Sequence, residues 1–190
     1  MLNREACERR VYRLATLLIG DPVTATRVIE AVVDAQPDLR RLDSAHLDRL
    51  TVLRSREIGR ATIVDAAVPP AVASALASLP SQQREAWVFI HVYRVPQRET
   101  ARAMDCSVTA TTRHLQMAEA AMAAPAGDLP RMAAEALLNY SMSLEVPTFW
   151  RAQRRRRQTM RRLRLAIVVG LVLAAMILAL MWLKGVLVAA

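Results

Sequence analysis

Lysine is almost missing from this 190-residue chain: of its 26 basic residues only Lys184 is a lysine, and the rest are arginines. Cysteine is nearly as scarce. Cys7 and Cys106 make no disulfide framework, and each has neighbours suited to a buried small hydrophobe. Three histidines, His46, His91 and His114, stand far apart with no Cys or second His at ligand spacing, so no zinc site is expected. No other cofactor is implied. Aromatics make up 4% of the residues, which leaves Leu, Val, Ala, Ile and Met to build any core. Five Gly and nine Pro exclude collagen-like and low-complexity chains, and 54% hydrophobic content excludes disorder as the default. No Ser/His/Asp or Cys/His set and no glycine-rich phosphate loop is visible, so the chain does not read as an enzyme.

Charge is present but unevenly placed. The formal net charge is +9. From Arg151 to the C-terminus there are eight arginines and Lys184 without one acid, which leaves residues 1–150 with 17 basic against 17 acidic residues. The high isoelectric point therefore belongs to the tail, and says nothing about nucleic acid for the rest.

Leu165 to Leu183 is an uncharged apolar run of 19 residues. As a helix it would be about 28 Å long, close to the hydrocarbon thickness of a bilayer. Eight arginines stand on its N-terminal flank. The positive-inside rule then places the N-terminal 150 residues in the cytoplasm, with the protein held at the cytoplasmic membrane by a single pass. Trp182 and Lys184 stand where an interfacial ring and a snorkelling ammonium mark the far boundary. Arg154, Arg155, Arg156, Arg157, Arg161, Arg162 and Arg164 are expected on the membrane surface, against anionic lipid. The charged start Met1–Glu5 shows no signal-peptide pattern.

Everything before the tail reads as helix, since no sustained period-two alternation and no hairpin dipeptide occurs. Cys7, Val11, Leu14 and Leu18 form a stripe that Gly20 ends. Asp21-Pro22 signals the cap and first turn of a second helix whose apolar face is Val28, Ile29, Val32 and Val33. A third helix is expected from a cap at Ser44, with Leu47, Leu50, Leu53 and Ile58 inward. Residues 130–145 form a further amphipathic helix with Ala133, Leu137, Tyr140 and Leu144 on one side. The expected architecture is all-α. A helical module spans 1–64, a linker 65–72, and a second module 73–124. A stalk and arginine-rich juxtamembrane segment fill 125–164, a transmembrane helix 165–185, and a short extracytoplasmic tail 186–190.

The most informative stretch is Leu79 to Met122. Leu79-Pro80-Ser81-Gln82-Gln83-Arg84-Glu85 opens a helix. After Val95-Pro96 comes a short helix from Gln97 to Met104, then Asp105-Cys106-Ser107, then a longer helix from Val108. A short helix, a tight turn, a serine N-cap and a second helix make a helix–turn–helix. In the second helix Val108, Thr111, Leu115, Ala118 and Met122 recur at three and four residues and are expected inward. Thr109, Thr112, Arg113 and Gln116 are then left together outside, on the face a recognition helix turns to the major groove. Thr and Gln suit bases or phosphates, and Arg113 suits a guanine edge or a phosphate.

These residues resemble region four of bacterial sigma factors of the extracytoplasmic-function group. The similarity runs without a gap over Leu79–Leu115, from the leucine-proline helix start with its Arg-Glu into the helix–turn–helix. Residues 11–33, with the Gly20-Asp21-Pro22 turn, resemble region two of the same family. The resemblance implies promoter recognition by a protein that binds core RNA polymerase. It places Thr109, Thr112, Arg113 and His114 on DNA with Ser107 as cap, and Glu30 with Arg27 and Asp34 toward the polymerase.

A second reading stays open beside this one. Thr112 and His114 stand where the family carries lysine and arginine. The segment Leu79–Met122 holds five arginines and four acids, a net charge of only +1. Residues 39–60 contain no Phe, Tyr or Trp, the side chains with which the family captures flipped bases. Such a chain also fits a sigma-derived protein-binding module, a membrane-bound adaptor or anti-sigma-like regulator that holds another regulatory protein without touching DNA.

Overall fold

Capping chemistry sets the first helices. In the computed structural model, which describes residues 3–59, 67–123, 129–148, 150, 159–160, 167–170 and 176, helix α1 spans Arg4–Ile19. It begins where the Asn3 side chain accepts from the Glu5 amide and ends at Gly20, whose φ of 93° only glycine adopts at little cost. Helix α2, Pro22–Ala35, starts at Asp21, whose carboxylate accepts from the Val23 and Thr24 amides. The Thr24 hydroxyl bonds the same carboxylate. Burial pushes the Asp21 carboxyl up, but these hydrogen bonds together outweigh it and hold the group below its ordinary value.

A 3₁₀ turn, Leu39–Arg41, leads to α3, Ser44–Ile58. Its N-cap is Asp43, which accepts from the His46 amide at 2.7 Å, one residue before the serine expected to cap it. The buried face of α3 also differs from expectation. Leu47 is buried, but the rest of that face is Asp48, Thr51, Val52 and Ser55, while Leu50, Leu53 and Ile58 are half-exposed. Polar groups can occupy the inner face because most of them are satisfied. Asp48 receives both a 2.7 Å and a 2.6 Å bond from Arg10, and the Thr51 hydroxyl donates to the Leu47 carbonyl at 2.8 Å.

Helices α4, Pro70–Ser78, and α5, Ser81–Trp87, follow, the latter running on as a π-helical turn over Val88–Val92. Then come α6, Gln97–Met104, α7, Val108–Ala123, and α8, Leu129–Ser143. No strand occurs among the described residues, so the all-α expectation holds for them.

Met1–Val146 form one compact unit, and Pro147–Ala190 a second. Among the described residues of the first unit, one hydrophobic core takes Leu14 and Leu17 from α1, Val52 from α3 and Trp87 and Phe89 from the α5 segment, with Met104, Met122, Leu137 and Tyr140 from the last three helices. Side chains of α1 and α3 thus meet those of the segment 73–124 in this core. α8, expected in a stalk, contributes Ala133, Leu137 and Tyr140 to it and packs on α1, α7 and the π turn. Its last carbonyls are capped from α1: Arg13 donates to Met142 O at 2.6 Å and to Leu144 O at 3.2 Å.

Among the described residues no helix is long and apolar enough to cross a membrane. The apolar run 165–185 lies, apart from 167–170 and 176, outside the described residues, as do the seven arginines from Arg154 to Arg164 and the tail 186–190. The described positions of the second unit include Ile167, Val168, Val169 and Met176, all helical and exposed.

Candidate nucleic-acid interface

The helix–turn–helix is built by backbone geometry that the sequence supplies locally. α6 ends because Asp105 adopts a left-handed conformation, φ 56° and ψ 46°. Asp tolerates this region better than most residues. The Cys106 amide then donates to Ala101 O at 3.0 Å and closes the helix. Two residues later the Ser107 hydroxyl accepts from the Ala110 amide at 3.1 Å and starts α7. Thr111, fully buried, places a hydroxyl in the core, where its partners are Ser107 O at 3.1 Å and the Cys106 thiol at 3.2 Å.

The inner face of α7 is narrower than its periodicity suggests. Thr111, Ala118 and Met122 are buried and Leu115 is half-buried, but Val108 at the first turn is 42% exposed. The residues expected outside separate into three groups. Thr109, Arg113 and Gln116 are exposed. Ser107 is exposed and spends its hydroxyl on the cap. Thr112 is half-buried: its hydroxyl donates to Val108 O at 2.9 Å and receives Gln97 Nε2 from α6 at 2.5 Å. Thr112 thus fastens the two helices of the motif together.

His114 is half-buried and lines, with Thr109 and Arg113, a groove of about 600 Å³ between α7 and the start of α5. The opposite wall is Ser81, Gln82 and Gln83, and Met117 completes it, with Gln83 Nε2 3.8 Å from the Met117 sulfur. Arg113 is the only arginine among the described lining residues. Gln82, Gln83 and Met117 are not singled out by the sequence motif, because a groove wall contributed by another helix leaves no spacing signal in α7.

On α2, Arg27 and Asp34 are exposed and Glu30 is half-buried. With Val23, itself 72% exposed, they occupy one outward stripe at helical spacing. This stripe lies on a different helix from the groove. Among the described residues no cluster of His, Cys, Asp and Glu could hold a metal ion.

Residues 71–122 match the family model described as Sigma-70, region 4. The match takes in α4, α5 and the helix–turn–helix and supports a sigma-factor relationship for this segment, in a family of transcription regulators that bind DNA and RNA polymerase. It does not extend to α1–α3, where the region-two resemblance rests on the sequence alone. No curated protein and no solved structure matches the chain.

Proposed function

We propose that this chain is a membrane-anchored, sigma-factor-like regulator of transcription initiation, which binds core RNA polymerase and contacts promoter DNA through α7. The observation that carries the reading is the exposed face of Thr109, Arg113 and Gln116 on the second helix of a helix–turn–helix, inside the segment that matches Sigma-70, region 4. The stripe Arg27, Glu30 and Asp34 on α2 is the proposed polymerase contact. Anchoring is supported by the uncharged run Leu165–Leu183 behind eight arginines and by the exposed apolar side chains of Ile167, Val168, Val169 and Met176. The bilayer is then a partner in its own right, and the N-terminal unit faces the cytoplasm.

A second reading is favoured by one observation. The hydroxyl of Thr112, counted among the DNA-facing groups, is engaged by Gln97, and the segment is nearly neutral. A near-neutral module neutralises few phosphates and binds DNA weakly by itself. The motif would then serve as a protein-binding adaptor at the membrane. Capture of the tagged full-length protein from mild detergent discriminates the two. Co-purifying core polymerase subunits, lost in Arg27→Glu, support the initiation reading. Retention of a different regulator with no polymerase supports the adaptor.

A further inference from the structure

The groove beside α7 has two walls, and only one of them belongs to the helix–turn–helix. Its α5 wall is made of neutral hydrogen-bonding side chains, Ser81, Gln82 and Gln83, facing Arg113 and His114 of α7. Gln83 is half-buried and held near the Met117 sulfur. Gln82 is exposed, lines the same groove, and is the second residue of α5, whose Arg84, Glu85, Ala86 and Trp87 are all buried. Its backbone is therefore fixed by the core while its amide stays available at the groove. A strand entering the groove along α7 would pass Arg113 on one side and the Gln82 amide on the other.

We infer that Gln82 donates a hydrogen bond to a backbone phosphate of the DNA strand that α7 engages, so that the interface has a contact outside the helix–turn–helix. The inference rests on the DNA-binding reading above. A neutral amide releases no counterion of its own, so the contact adds affinity for every sequence without steepening the salt dependence. It also makes a neutral residue a phosphate clamp in a module short of cations.

The test uses the full chain in mild detergent and duplexes enriched from a random pool in the presence of competitor DNA. Wild type and variants share the same C-terminal arginines, so differences between them report the groove. Gln82→Ala is expected to weaken binding about 3–10-fold, equally for the enriched duplex and its single-base variants, with an unchanged salt slope. Gln82→Lys is expected to tighten binding and to steepen the slope of log K against log salt by about 0.9. If Arg113→Ala weakens binding while both Gln82 variants match wild type, the inference falls and the DNA reading stands. If no duplex is enriched and Arg113→Ala changes nothing, the DNA reading falls and takes the inference with it. A Gln82→Ala loss confined to one base position overturns the phosphate assignment. Because Gln82 is exposed, the variants are expected to melt with wild type, which circular dichroism checks.

Discussion

Arg56 of α3 and Glu85 of α5 form a two-pronged ion pair, Nε to Oε1 at 2.9 Å and Nη2 to Oε2 at 2.5 Å, while the same Nη2 reaches Met104 O at 3.0 Å. The Glu85 side chain is 3% exposed. One guanidinium thus ties the N-terminal helices to the helix α5 and to the end of α6. Burial pushes the Glu85 carboxyl up, with Arg56 opposing the shift.

Removing one partner of such a pair leaves a buried charge unmatched. Arg56→Met, which leaves the Glu85 carboxylate buried without its partner, is expected to lower unfolding free energy by about 3–5 kcal/mol. The double replacement Arg56→Met with Glu85→Leu is expected to recover most of that loss. Urea denaturation of the four members of the cycle measures both.

Tyr93 follows the π turn and is half-buried, but its hydroxyl is enclosed, and the lost solvation pushes its phenol up to about 12 against the weaker pull of Ser141. The folded chain keeps this proton over a range where the unfolded chain has lost it. The stability that the neutral phenol contributes is therefore full below pH about 10 and is lost as pH rises through about 12. Tyr93→Phe is expected to flatten the fall in stability across that window, as read by melting temperature against pH.

The Asp21 cap is expected to matter in the opposite direction of pH. Asp21→Ala removes the acceptor of two amides and should cost about 1–2 kcal/mol. The wild-type contribution is present above the unfolded carboxyl value and is lost as pH falls through the lower folded one. Wild type and Asp21→Ala should therefore converge in stability in acid, as denaturant melts across pH will show.

Arg113 and Thr112 are neighbours with different duties. Arg113→Ala is expected to reduce DNA affinity about tenfold and to lower the salt slope by about one. Thr112→Ala removes the Gln97 tie, so it should cost about 1 kcal/mol of stability and leave DNA affinity near wild type. Binding isotherms at several salt concentrations, with melts alongside, separate the two.

Residues whose signal is local were legible in the sequence. Gly20, Asp21-Pro22, Asp105 and Ser107 each act through their own conformation or a backbone group no more than four residues away. The α3 face was not legible, because Asp48 turns inward only when Arg10, 38 residues earlier, is there to meet it. Val108 follows the inward period of α7, yet at the helix's first residue it stays exposed. The second wall of the groove escaped for the same reason: Gln82 and Arg113 are brought together by packing and by no motif. The docking of α8 depends on which helix accepts its apolar stripe, and a stripe does not name its partner.

The grip of Arg13 on the end of α8 spans 131 residues of chain. During synthesis α1 has emerged long before the carbonyls it caps exist. At ribosomal speed the delay is on the order of ten seconds. The helix–turn–helix, whose contacts are short-range, has time to form within that interval, whereas the N-terminal helix waits with an arginine unmatched. The last segment made before the arginine-rich stretch is thus the one that completes the first.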